Sequence, residues 1–348
     1  MSELTNDPTG ASTPPVSHPH PSKAKIIGLT VAVIVSLGLA AAAGASILRT
    51  SYKNVPAVNI TNSFQKLSEL KTFSYNLTVD ATTPVKEVNT HIEFQAAGSA
   101  DVTENKQTSL NASLTVNQDD QATFGPIEAK IIQAGEVSYL NLLSLNLPPT
   151  AGLDLSNYQD LLLNNWIKLD KNELSEKLKL EQLEQVLATE LSAETTERNA
   201  KIKKIVKDHL SEIFTVTDQG ADNLPADTET TTYYTLQVHP DGLITLADAL
   251  TAELGTEADD IANRLRSSAE DLQDLDTLDV TIWVGDRDHY PHQINIHAAQ
   301  IDTKTDYQLT LRLSDFNQPI NIDIPSETTS IDALLQQLQE RLTSQITQ

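Results

Sequence analysis

The stretch Leu110-Asn111-Ala112-Ser113-Leu114-Thr115-Val116 alternates apolar and polar side chains without a break. A period of two belongs to a half-buried β-strand, because successive side chains leave opposite faces of the pleat. The same period runs through Phe73-Ser74-Tyr75-Asn76-Leu77-Thr78-Val79, around Ile92 and Phe94, through Ile127-Glu128-Ala129-Lys130-Ile131 and, after Gly135, through Val137-Ser138-Tyr139. Strands with one wet and one apolar face, separated by short turns, make an antiparallel sheet that buries one side.

The pattern repeats further along the chain. Trp166 to Asp170 reads as a short strand. Thr231 to His239 places Thr232, Tyr234, Leu236 and Val238 on one face, and the turn signal Pro240-Asp241-Gly242 follows. Strands are expected at 278–284, 293–300 and 306–313, and a closing one at Ile320-Asn321-Ile322-Asp323-Ile324-Pro325. Between them the period changes to that of a helix. Ile60, Phe64, Leu67 and Leu70 open the series. Leu178, Leu180, Leu183 and Leu187 lie within 174–191, and Ile202, Ile205, Val206, Leu210 and Ile213 within 201–214. Further helices are expected at 243–254, 257–275 and 331–346. Strands interrupted by helical insertions argue an α+β fold. A sheet of this many strands has to curl. The expected architecture is a curved antiparallel sheet, a half-barrel, with helices on its concave side.

A single transmembrane helix is expected to precede this domain. Residues 26–48 carry no charge and no proline, with Ile26, Ile27, Leu29, Val31, Val33, Ile34, Val35, Leu37, Leu39, Ile47 and Leu48 as the apolar anchor. At about 1.5 Å per residue the segment crosses a hydrocarbon core of roughly 30 Å. A secretory signal peptide cleaved near Ala43-Gly44-Ala45 is the alternative reading, although the run exceeds an ordinary signal core. Lys23 and Lys25 precede the segment while Arg49 and Lys53 follow it, so flanking charge barely sets its orientation. The expected organisation is a disordered cytoplasmic tail at 1–25, the transmembrane helix at 26–48, a linker at 49–56, an extracytoplasmic domain at 57–330 and a C-terminal helix at 331–348. The protein would then sit in the cell membrane as a single-pass protein with its main domain outside.

Charge narrows the partners. The formal net charge is −24. In the first 56 residues Lys23, Lys25, Arg49 and Lys53 outnumber Glu3 and Asp7, so the negative excess lies wholly in the later domain. Such a domain repels phosphate backbones, which argues against nucleic acid as a partner. The absence of cysteine removes disulfides, thiolate metal sites, thiol nucleophiles and a lipidated N-terminal cysteine.

Several segments resemble LolA-like and LppX/LprG-like bacterial lipoproteins. Trp166-Ile167-Lys168-Leu169-Asp170 looks like their W-x-K-x-D strand, and Thr232 to Val238 resembles their tyrosine-rich strand before a helical insertion. Val280 to Asp286 followed by Tyr290-Pro291 resembles their strand-turn-strand unit. Ser314 to Pro325 resembles their closing segment. The resemblance covers roughly residues 57 to 330. It implies a half-barrel whose gap between sheet and helices holds acyl chains or lipoproteins, so the expected partners are the membrane, through one helix, and a hydrophobic ligand or an envelope protein. This chain departs from those relatives in having no lipobox cysteine, and a membrane helix stands where they carry a lipid. Trp166 and Trp283 are the residues expected at the rim of the gap, since aromatic rings supply large apolar contact.

No nucleophile elbow, H-E-x-x-H, P-loop or dinucleotide fingerprint is present, so an enzyme is not expected, nor a cofactor. The polar run Asp286-Arg287-Asp288-His289-Tyr290-Pro291-His292 has the composition of a turn and reads as a solvated hairpin tip rather than a metal site. The acidic helix carrying Asp259, Asp260, Glu270, Asp271, Asp274 and Asp276 lacks a calcium loop and reads as a solvated face.

Overall fold

A computed structural model describes residues 56–67, 69–85, 88–103, 107–118, 121–146, 158–170, 201–202, 204–206, 208–209, 211–224 and 230–346. The expected tail and membrane helix, the expected linker apart from Pro56, and the expected helix at 174–191 lie outside them. Among the described residues no helix is long and apolar enough to cross a membrane.

Among the described residues, twelve strands form one open sheet. They are β1 (Thr72–Val85), β2 (Val88–Asp101), β3 (Gln107–Gln118), β4 (Gln121–Ala134), β5 (Val137–Leu145), β6 (Trp166–Asp170), β7 (Phe214–Asp222), β8 (Thr231–Val238), β9 (Thr277–Gly285), β10 (Pro291–Gln300), β11 (Thr305–Ser314) and β12 (Thr329–Ser330). Their order across the sheet is β12-β6-β5-β4-β3-β2-β1-β11-β10-β9-β8-β7. Two meanders therefore stand side by side. Strands β1 to β6 make one wing, strands β7 to β11 make the other, and antiparallel pairing of β1 with β11 joins them. The sheet is mixed rather than wholly antiparallel, because β12 pairs with β6 in parallel.

The helices are α1 (Pro56–Leu67), α2 (Gln159–Leu162), α3 (Pro240–Leu254), α4 (Asp259–Gln273) and α5 (Ile331–Ile346), with further helical residues between 201 and 213. Helices α3 and α4 pack on each other, joined by a 3₁₀ turn at Gly255–Ala258. Their apolar stripes, Leu243, Leu246, Ala247 and Leu250 on α3 and Ala262, Leu265, Ala269 and Leu272 on α4, are buried. The opposite face of α4 holds the acidic residues, as its helical period requires. Gly242 lets α3 start against the helix before it: a Cβ there would lie 2.0 Å from the Glu212 carbonyl oxygen. One core cluster collects α1, the helical residues between 201 and 213, α3, α4 and the facing side chains of β8 to β11.

Two expectations change. Residues 320–324 form no strand, and only Ile322 of the three isoleucines is buried. The neighbouring β11 already has β10 on one side and β1 on the other, so no free edge is available there. The segment after β11 instead becomes a strap toward β12. Its start is tied to the head of β1, where the Asn317 amide donates to the Thr72 carbonyl (2.8 Å) and the Lys71 amide donates to Asn317 Oδ1 (2.8 Å). The second change is β7, an edge strand that the alternation pattern does not announce. Only its first residues are apolar, and most of the rest are exposed.

Candidate functional site

Directly opposed residues of an antiparallel pair share a face. The register therefore draws rows straight across the sheet. One row runs Val216, Leu236, Val280, Ile296, Leu309, Val79, Phe94, Leu114, Ile127, Leu145, from β7 to β5. Every member is apolar, and the rows on either side continue the pattern. Tyr234, Ile282, Ile294, Leu311, Leu77, Ala96, Ala112 and Ala129 lie on one side. Leu278, Ala298, Tyr307, Ala81, Ile92, Val116 and Phe124 lie on the other. This is the inner face.

Coverage of the inner face changes at the seam between the wings. On β8 to β11, Leu236, Val280, Ile296 and Leu309 are at most 3% exposed, and Ala247, Leu250, Ala262 and Ala269 above them are wholly buried. Side chains so fully buried leave no room for a ligand, so this half of the gap is packed. On β1 to β5, Val79, Phe94, Leu114, Ile127 and Leu145 of the same row remain partly exposed, as do Leu110, Ile131 and Leu140 two rows away. The N-terminal wing thus carries a continuous apolar surface that its described neighbours only half cover. Tyr75 lies on it, opposite Gly98; its hydroxyl donates to the Ser109 carbonyl (3.0 Å), and burial pushes its pKa up.

The tryptophans do not rim this surface. The register row Tyr233, Trp283, Gln293, Arg312, Asn76, Ala97, Asn111, Lys130, Asn141, Trp166 belongs to the opposite, outer face. Trp283 donates its indole N–H to Asp222 Oδ2 (3.0 Å), and Lys130 Nζ stands 5.9 Å over the Trp166 ring. Both rings are amphipathic and only part-buried, and each pairs with a charged side chain of the polar face.

The run 286–292 is not a solvated tip throughout. His292 is 8% exposed, and its Nε2 lies 3.0 Å from Asp288 Oδ2. Asp288 Oδ1 accepts the Tyr290 amide (2.9 Å), and the Asp288 carbonyl accepts from Lys66 Nζ of α1 (2.6 Å). Burial by itself would raise the Asp288 pKa, but the hydrogen bonds from His292 and the Tyr290 amide outweigh it and hold the carboxyl below its usual range. Tyr290 stacks on Phe316 (4.5 Å between centroids), and His292 meets the same ring edge-on. Gly285 makes the corner compact, since a Cβ there would lie 2.2 Å from Asp288 Oδ1. These contacts clamp the β9–β10 turn to α1 and to the strap.

Two further histidines stand on the outer face. His297 Nε2 lies 2.9 Å from Asp306 Oδ2, and its Nδ1 lies 3.7 Å from Asp279 Oδ2. His91 Nε2 lies 3.0 Å from Glu93 Oε1 and 3.5 Å from Asp80 Oδ2. The signal was available in part: His91 and Glu93 are two apart in a strand and so share a face, and the antiparallel pairing of β1 with β2 sets Asp80 opposite Glu93. A shallow hollow of about 390 Å³ beside α2 and α5 is lined by Leu161, Gln337, Glu340 and Arg341. Arg341 grips Asp160 there with both terminal nitrogens, a polar setting unlike the inner face.

No family model matches the chain, and no curated protein matches it. Among solved structures, the chain is similar to LprF from Mycobacterium bovis, with a TM-score of 0.34 and 12% identity over 77% of this chain and 96% of that one. It is also similar to a DUF1329 family protein from Desulfovibrio piger, with a TM-score of 0.20 and 7% identity over 84% of this chain and 95% of that one.

Proposed function

We propose that this protein is a membrane-tethered, extracytoplasmic binding module that holds a hydrophobic ligand against the inner face of its N-terminal wing. The supporting observation is the apolar row from Val216 to Leu145, sealed under helices on β8 to β11 and only half covered on β1 to β5. Monomeric domains rarely leave a contiguous apolar surface partly open without a use for it. Ligand surfaces are usually of this kind, apolar with few polar groups. An acyl chain laid along such a surface gains about 0.8 kcal/mol for each methylene it buries. The face offers no charged group to fix a headgroup in the row itself, so shape and apolar area set its selectivity. The uncharged segment 26–48 supplies the tether in this reading, and the acidic domain stays in solution beside the bilayer.

Native mass spectrometry of the full-length protein released from membranes tests the reading. The expected result is a co-purified apolar ligand in the wild type and its loss in Leu114→Glu, which places a carboxylate in the half-covered part of the row. Wild-type protein without any apolar ligand, or equal retention by Leu114→Glu, overturns it.

A further inference from the structure

We infer that Asp80, His91 and Glu93 form a binding site for a divalent transition-metal ion such as zinc, on the outer face of the sheet and on the far side from the apolar surface. The three residues sit on β1 and β2, consecutive strands paired antiparallel over their whole length. Asp80 is directly opposite Glu93, and His91 is two residues along from Glu93 on the same face. Their ligand atoms lie within 4.8 Å of one another.

The geometry fits a metal. Zinc holds imidazole nitrogen and carboxylate oxygen at about 2.0–2.2 Å, which places neighbouring ligand atoms roughly 2.9–3.5 Å apart in tetrahedral or octahedral coordination. The nitrogen-to-oxygen distances here are 3.0 Å to Glu93 and 3.5 Å to Asp80. The other ring nitrogen, Nδ1, stands 3.3 Å from the Thr82 hydroxyl. With Nδ1–H donating to that oxygen, Nε2 presents its lone pair to two carboxylates. Three electron-rich atoms then converge, and a cation relieves their repulsion. Such an outer hydrogen bond is the usual device for orienting a ligating imidazole.

The donor set selects the ion. One imidazole and two carboxylates favour borderline metals such as zinc, whereas calcium takes six to eight oxygens. The three side chains are between one third and one half exposed, which leaves open coordination positions for water. That is the pattern of an exchangeable site rather than a closed structural one. The strongly acidic domain raises the local cation concentration around it.

Isothermal titration of zinc chloride into the full-length protein in detergent, with calcium chloride as the comparison ion, tests the site. The N-terminal tail is common to wild type and variants, so any zinc it takes up cancels and the difference between them reports the sheet site. The expected result is one equivalent of zinc lost in His91→Ala and in Glu93→Gln, roughly 10-fold weaker binding in Thr82→Val, and little calcium uptake at the site. Circular dichroism confirms that each variant is folded. Should His91→Ala fail to fold, Glu93→Gln decides, together with the wild-type His91 imidazole NMR signals, which shift on zinc addition. Unchanged zinc stoichiometry and affinity in the folded variants, or His91 signals indifferent to zinc, overturns the assignment.

Discussion

At the scale of single residues, Gly98 shows how closely the wing is built. A Cβ there would lie 1.9 Å from the Ser109 carbonyl oxygen and 2.8 Å from the Tyr75 hydroxyl, which uses the vacated space to reach that carbonyl. A backbone oxygen cannot rotate away. Gly98→Ala should therefore destabilise the domain by about 1–3 kcal/mol, the ordinary cost of overpacking, read as a lower urea midpoint; an unchanged midpoint contradicts the close approach. His297 gives a prediction in pH. Its hydrogen bond to Asp306 raises its pKa above that of a free imidazole. The stabilisation from this pair is complete below the unfolded-state pKa of about 6.5 and is lost as pH rises through the higher folded-state value. An NMR titration of the His297 ring should give a midpoint above the ordinary imidazole range, and Asp306→Asn should lower it. Asp306 was not singled out from sequence as a partner for His297. Alternation reveals that His297 points away from the apolar face, but not which carboxylates the neighbouring strands bring beside it. The same gap misplaces Trp166 and Trp283, whose aromatic character argued for the ligand gap while the register sets them on the outer face.

At the scale of elements, the legible parts were those with an unbroken period. The strand at 166–170 matches the sequence expectation residue for residue, the last helix runs Ile331–Ile346 where a helix was expected, and β8 to β11 lie within a residue or two of theirs. What failed depends on position in the sheet. Strand β7 has a short apolar start and a polar remainder, because an edge strand that packs little has no need of full alternation. Residues 320–324 alternate well but have no edge to join. Alternation equally cannot tell how well a strand is covered, and this distinction carries the proposed site. Leu309 and Leu114 occupy the same row, the first 2% exposed and the second half-covered. Leu309→Ala should cost about 2–5 kcal/mol. Leu114→Ala should cost less, because it removes fewer contacts and leaves a hollow that solvent can reach. Chemical denaturation of the two variants in ligand-free protein measures the difference, and equal losses would show that β3 is sealed as tightly as β11.

At the scale of the whole molecule, the seam between β1 and β11 divides one sheet into two wings with different interiors. Among the described residues, the β7 to β11 wing has a core built from several helices, whereas β1 to β5 present the same apolar rows under less cover. Cover of buried apolar contacts governs how easily a region opens, so the β1 to β5 wing should be the less protected in amide exchange. A ligand that occupies its inner face adds stability there by mass action, about 2.7 kcal/mol at a hundredfold excess over its dissociation constant. Residues that exchange through opening of that wing should then exchange roughly 100-fold more slowly. Hydrogen–deuterium exchange of the full-length protein with and without oleate measures this. Peptides from β2 to β5 should slow markedly, while peptides from β8 to β10, already packed beneath α3 and α4, should change little. Slowing confined to β8 to β10, or none in either wing, contradicts the placement of the ligand. Zinc supplied in place of oleate should protect the β1–β2 hairpin alone, since its three ligands lie on those two strands and face away from the apolar rows.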